Sequence, residues 1–174
     1  HGTGLICIES PEPVVRDTLL IAHEQDYVDR FLSGSLDTKE VRRIGLEPWT
    51  GAFLPRTMRI IGGAVEALAH VTRFGGIAAN MAGGTHHSHR SFGSGYCVFN
   101  DLAICALLAR DEYGYERIAV LDLDVHQGDG TATILEGEEG IITISVHGEK
   151  NFPFRKAKSD HDFPLPNGTG DEGY

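Results

Sequence analysis

Cysteine is scarce: the 174 residues hold three, Cys7, Cys97 and Cys105. The number is odd and no two stand in Cys-x-x-Cys spacing, which argues against a disulfide framework and a thiolate zinc site and fits a reducing, cytoplasmic compartment. Long apolar runs are missing too. None approaches the roughly 18 residues that read as a membrane-crossing helix, and no basic-then-apolar opening reads as a secretory signal. Positive charge is in deficit. Fifteen Lys and Arg against 25 Asp and Glu give a formal net charge of −10, which disfavours direct contact with nucleic acid or an anionic membrane and tolerates cationic partners. There is no internal repeat and no low-complexity tract. The opening residue is His1 rather than Met, so the natural start is expected to be missing or processed.

What remains is ordinary for a globular protein: 41% hydrophobic and 23% charged residues. The length suits one α/β domain with a real core. Residues 9–16 contain two prolines and read as a loop, and residues 45–55 as another, broken by Pro48 and Pro55. Thr18 to Ala22 is short, apolar and β-prone; Glu24 to Leu32 looks helical. Arg56 to Arg73 repeats apolar residues at helical spacing, from Ile60 and Ile61 through Ala64, Val65, Leu68 and Val71. Ile77 to Met81 reads as a strand, and Asn100-Asp101 as the cap of a helix over Leu102 to Arg110. Ile118 to Leu123 and Ile141 to Val146 are apolar strands, the former uniform enough to expect cover on both sheet faces. After Asn151 the pattern dissolves and a loop is expected. Strands alternating with helices imply βαβ units, hence a parallel sheet flanked by helices on both faces.

The strongest chemical signal is LDLDVHQGDG, residues 121–130. On an extended segment Asp122, Asp124 and His126 face one way, at the carboxyl end of a strand where open α/β sheets place their ligand sites. A lone Asp-x-His on a strand is more often a cap or an ion pair. Two carboxylates drawn out of water together call for a cation or strong donors, and oxygen plus imidazole ligands suit zinc or a related divalent metal. A second signal, GGTHH at 83–87, follows the neighbouring strand. Imidazoles suit acid/base work near neutral pH, and each needs a partner to fix its tautomer. The numbers match: His86 and His87, two orienting carboxylates in Asp122 and Asp129, and Asp124 with His126 left for a metal. Between the two motifs, GSGYCVFND (93–101) is by itself only a glycine turn and a helix cap, and Tyr96 and Phe152 suit an ordinary core equally well.

Taken together, GGTHH (83–87), GSGYCVFND (93–101), LDLDVHQGDGT (121–131) and TISVHGEKNFPF (143–154) resemble the arginase–deacetylase fold. Within it they resemble the zinc-dependent histone deacetylase and acetylpolyamine amidohydrolase family, closest to its bacterial and class IV-like branch. The resemblance runs from about Leu19 to the end. It implies Asp124 and His126 as zinc ligands, and His86 and His87 as the acid/base pair with Asp122 and Asp129 as partners. It implies a structural potassium site at Asp122, Asp124, Ser145 and the carbonyls of His126 and Val146, and an acyl channel walled by Gly95, Tyr96 and Phe152. The implied reaction is hydrolysis of an acylated lysine or acylated amine, with His87 as general base and later proton donor.

Two family residues have no counterpart: a third zinc ligand, an aspartate, and a transition-state tyrosine both fall beyond residue 174. Asp160, Asp162 and Asp171 are the nearby substitutes, in a stretch the family uses as loop. The expectation is therefore one deacetylase-like domain over 1–174, truncated at the C-terminus and also at the N-terminus, binding zinc weakly by itself. At 45–49 the chain offers Glu47 and Trp49 where class I enzymes hold the substrate backbone with an aspartate, so a histone tail is not implied. Two competing readings are a manganese ureohydrolase, which metal stoichiometry would distinguish, and a deacetylase-like binding module without catalysis.

Overall fold

The computed structural model describes residues 7–174. Its longest element is the helix α4, Phe53–Phe74, which starts three residues before the apolar periodicity does. Before it come three short helices, α1 (Arg16–Leu20), α2 (Gln25–Leu32) and α3 (Thr38–Ile44). The last was not expected from periodicity. It is held by its ends: Asp37 and Glu40 form a reciprocal capping box and Gly45 closes the helix with φ 82°.

The residues 18–22 expected as a strand lie in and just beyond α1. Their β-prone composition yields to packing, because helical spacing puts Leu19 and Ala22, both 0% exposed, on the core side. Arg16 then ties α1 to α2 through Asp29, 2.6 Å away.

A three-stranded parallel sheet follows, ordered β1 (Ile118–Asp122), β2 (Ile141–Gly148), β3 (His161–Leu165). The pairs Ile118–Ile141, Val120–Thr143 and Asp122–Ser145 stand side by side in register. The helix α5 (Asp101–Asp111) precedes β1, and α6 (Asp129–Leu135) forms the crossover between β1 and β2. These two helices pack on the face carrying Ile118, Val120, Ile141 and Thr143. Ala119, Leu121 and Ile142 on the opposite face are open to solvent.

Two further expectations change. Residues 77–81 form no strand: Ile77 and Met81 are each 96% exposed, and among the described residues no strand lies beside them to take their backbone hydrogen bonds. Conversely, β3 lies in the expected loop. Its sequence, HDFPL, hides it, because Pro164 donates no ladder hydrogen bond and is tolerated only where the strand is an edge.

The core is aromatic at its centre. Tyr27, Phe31 and Phe99 meet edge to face at 5.0–5.4 Å, with Leu19, Ile44, Ile61, Ile104 and Leu107 around them. Trp49 stacks on Phe53 and meets Phe31, so it serves this core rather than presenting a free ring to a ligand. The fixed end of α5, next to this core, positions the site.

Candidate active site

Asn100 and Asp101 do more than start α5. The Asn100 side chain accepts the Ala103 N–H as a helix cap, and its amide donates to the carbonyl of Ser88 at 3.0 Å. Asp101 accepts the N–H groups of Gly84 and Thr85 and the Thr85 hydroxyl, at 2.7–2.9 Å. One helix terminus thereby grips the whole Gly-Gly-Thr-His-His turn. Gly83 allows the approach, since a Cβ there would lie 2.4 Å from Asp101 Oδ2. His23 closes the clasp from the other side. Its Nε2 accepts the Asn100 N–H at 2.9 Å, which makes Nδ1 the donor to the His89 carbonyl, also at 2.9 Å. Burial holds His23 in its neutral form, with its pKa lowered to about 4.

The second loop leaves β1 at Asp122. The extended course expected through His126 stops there, because side-chain oxygens take over the backbone donors: Asp122 Oδ1 accepts from Asp124 N–H (3.0 Å), and Asp124 Oδ1 from His126 N–H (2.8 Å). The chain still brings both loops together. His86 Nδ1 lies 2.5 Å from Asp122 Oδ2, and His87 Nδ1 lies 2.7 Å from Asp129 Oδ1. All four side chains are buried. A carboxylate only accepts, so both Nδ1 atoms carry the proton and both Nε2 lone pairs face away from the partners. For His86, burial by itself works against the charged ring. The Asp122 hydrogen bond and the charges of Asp122, Asp124 and Asp129 outweigh it, and the pKa is raised. For Asp129, burial pushes up, while the hydrogen bonds from His87 and His89 pull harder and hold the pKa at about 2.

Asp124 and His126 sit at the open edge of this group. Asp124 Oδ1 is 3.2 Å from His126 Nδ1 and 4.0 Å from His86 Nε2. Two ligands of a tetrahedral zinc at about 2.0–2.1 Å each stand roughly 3.3 Å apart, so the Asp124–His126 pair has the separation a zinc edge requires. Among the described residues no group of three or more His, Cys, Asp or Glu is placed to hold a metal. The substitutes Asp160 and Asp162 are committed elsewhere, the first to the N–H and hydroxyl of Thr143, the second to Gln127 and the Ser159 N–H. No Lys or Arg pairs with Asp122, Asp124 or Asp129 among the described residues; their charged partners are all imidazoles.

The remaining candidates fall in two places. Gly95 and Phe152 flank His87: a Cβ on Gly95 would lie 2.5 Å from His87 Cδ2, and the Phe152 ring stands edge-on to His87 at 4.9 Å. Tyr96, with φ 66°, is 71% exposed and its ring lies beside Gly45. Ser145 neighbours Asp122 across the sheet, with its hydroxyl 2.9 Å from His147 Nδ1, and Val146 follows it on β2. Sequence reading passed over His23 and His89 and saw Asn100 and Asp101 only as a cap. His89 stands two residues from His87 in one short motif, which is the available signal.

Two histidine–aspartate dyads and an Asp-x-His pair thus stand together at the carboxyl end of one strand of a parallel α/β sheet. The chain belongs to the histone deacetylase domain family, which matches residues 3–174. It is 43% identical to an uncharacterised protein of Picosynechococcus over 96% of this chain and 55% of that protein. It is 30% identical to a probable deacetylase of Archaeoglobus fulgidus, over 97% of this chain and 50% of that one. Its fold is similar to the crystal structure of an HDAC homologue from Aquifex aeolicus, with a TM-score of 0.79 and 26% identity, covering 93% of this chain and 49% of the other. An HDAC homologue crystallised with SAHA gives a TM-score of 0.75 at 26% identity over 90% of this chain and 46% of that one. The chain thus spans about half the length of these relatives.

Proposed function

We propose that this chain supplies the acid/base half of a zinc-dependent amidohydrolase that removes acetyl or other acyl groups from lysine side chains or acylated amines in the cytoplasm. The observation that carries the reading is the 3.2 Å approach of Asp124 Oδ1 and His126 Nδ1 beside two buried histidine–aspartate dyads. Zinc held by this pair would polarise the acyl carbonyl and acidify a bound water. Everything else falls to the chain's own residues. His87 donates Nδ1–H to Asp129, so its Nε2 lone pair is the base that takes the water proton. The same atom then returns the proton to the departing amine as the amide C–N bond breaks, giving a carboxylic acid and a free amine. His86, its pKa raised by the Asp122 hydrogen bond and the nearby carboxylates, would stabilise the oxyanion electrostatically. Gly95, lacking a side chain, lets the His87 and Phe152 rings close in beside it, and with them would wall a substrate chain. A potassium ion between Asp122, Asp124 and Ser145, and the carbonyls of His126 and Val146, would offset the paired carboxylates.

A catalytic zinc takes three protein ligands. Asp124 and His126 are two, and among the described residues no third is placed beside them, so on this reading the isolated chain binds zinc weakly. Hydroxamate binding with and without zinc tests the reading. Zinc-dependent binding that disappears in Asp124→Ala supports it, and binding indifferent to zinc overturns it. Strong, chelator-sensitive turnover of an acetyl-lysine reporter by the isolated chain would overturn the claim of incompleteness.

A further inference from the structure

Asp129 has a second imidazole partner that the dyad chemistry does not use. His87 and His89 stand two residues apart with Ser88 between them, and their side chains fall on the same side. Ser88 points back to donate to the Val98 carbonyl at 2.7 Å, and His87 and His89 both face Asp129. His87 Nδ1 takes Oδ1 at 2.7 Å, and His89 Nε2 takes Oδ2 at 3.2 Å. Both carboxylate oxygens are thus fixed by rings, and the carboxylate cannot rotate without breaking one of the two bonds.

The His89 ring is itself held on two further sides. Its Nδ1 lies 2.8 Å from the Thr133 hydroxyl, its face stacks on Phe92 at 4.4 Å, and the Arg43 guanidinium lies over the Phe92 ring. Its backbone is pinned as well: the N–H donates to Phe92 O at 2.9 Å, and the carbonyl accepts from His23 Nδ1. An ionised carboxylate only accepts, so the proton of this contact is on His89 Nε2. A surface histidine would have none of these ties; the His89 side chain is 19% exposed, in contact with one that is 11% exposed.

We propose that His89 is a positioning residue. By locking Oδ2 of Asp129, it holds Oδ1 on His87 Nδ1 and so keeps the His87 Nε2 lone pair aimed at the reacting water. The proposal rests on the amidohydrolase reading for its purpose, but not for its test.

The test is nitrogen-15 NMR of the histidine side chains in the full 174-residue chain, comparing wild type with His89→Ala and His89→Gln. The His86–Asp122 dyad provides an internal reference in the same molecule. Expected in wild type are slowly exchanging Nδ1 protons on both His86 and His87, each held by its aspartate. In His89→Ala, the His87 Nδ1 proton exchanges with solvent about tenfold faster, the change that loss of one charge-assisted hydrogen bond brings, while His86 is unmoved. His89→Gln, whose amide also donates, restores slow exchange at His87. Unchanged His87 exchange in His89→Ala overturns the proposal. So does equal acceleration at His86, which would mark general loosening, or failure of His89→Gln to recover in a chain whose His86 signal is intact. Zinc and substrate are absent throughout. Loss of the His87 lock in a protein that never hydrolyses an acylated amine would therefore uphold the positioning role and refute the hydrolase reading alone.

Discussion

Gly95 stands against His87 so closely that a methyl group on its Cα would lie 2.5 Å from His87 Cδ2 and 3.0 Å from the Phe152 ring. Its φ of 52° adds a left-handed backbone that a side chain disfavours. Gly95→Ala should therefore push the His87 ring off Asp129. On the proposed amidohydrolase reading, kcat should fall about 10²-fold, the scale set by a misplacement of about 1 Å. The chain's melting temperature should change far less than His87 geometry, which side-chain NMR would read directly.

Asp129→Asn keeps the shape of the partner and reverses its chemistry. An amide nitrogen presented to His87 Nδ1 would favour the other tautomer, placing the proton on Nε2 where the base needs a lone pair. By analogy with the same change in hydrolase triads, kcat on an acetyl-lysine reporter should drop by about 10³–10⁴-fold with little change in KM. An effect under tenfold would remove His87 from the role of base.

Asn100→Ala removes the cap of α5 and, at the same time, the amide that serves the Ser88 carbonyl. The expected cost is about 2–3 kcal/mol, the sum of a cap and an abandoned buried acceptor. Denaturant unfolding measures it. A loss below about 0.5 kcal/mol, the range of ordinary surface substitutions, would mean that this clasp does not hold the histidine turn.

His23 makes stability depend on acidity. Its folded pKa of about 4 lies below the ordinary histidine value of about 6.5. The unfolded chain therefore binds the proton first as pH falls. Stability is fully present above about 6.5 and is lost progressively towards pH 4, by on the order of 2–3 kcal/mol. His23→Gln should flatten that limb between pH 6.5 and 4 in urea titrations, at some cost in stability at pH 8. An unchanged slope would place the acid sensitivity elsewhere.

The grouping of the histidines and aspartates was more legible in the sequence than the sheet was. Asp122, Asp124, His126, His86 and His87 lie in two short motifs whose residue types have few other uses in such combination, so spacing alone pointed to them. Residues 77–81 are different. A strand is defined by its neighbour, and no property of Ile77 or Met81 says whether that neighbour is present. β3 was obscured for the opposite reason, since Asp162 and Pro164 look like loop residues until β2 pairs with them. The uniform apolarity of residues 118–123 led to an expectation of cover on both sheet faces, yet α5 and α6 cover only one, and among the described residues Leu121 and Ile142 stay open to solvent. His89 escaped notice because its partner is 40 residues away along the chain. The spacing of His87 and His89 shows that two rings share a side, and the fold alone shows that they share a carboxylate.

Titration of zinc into the chain by calorimetry tests the central claim, comparing wild type with Asp124→Ala/His126→Ala. One zinc per chain should bind weakly and reversibly to wild type, with no measurable heat above dilution in the double variant. Equal stoichiometry and affinity in the two proteins would contradict the account, because the ion would then be held by residues other than the pair at the tip of β1.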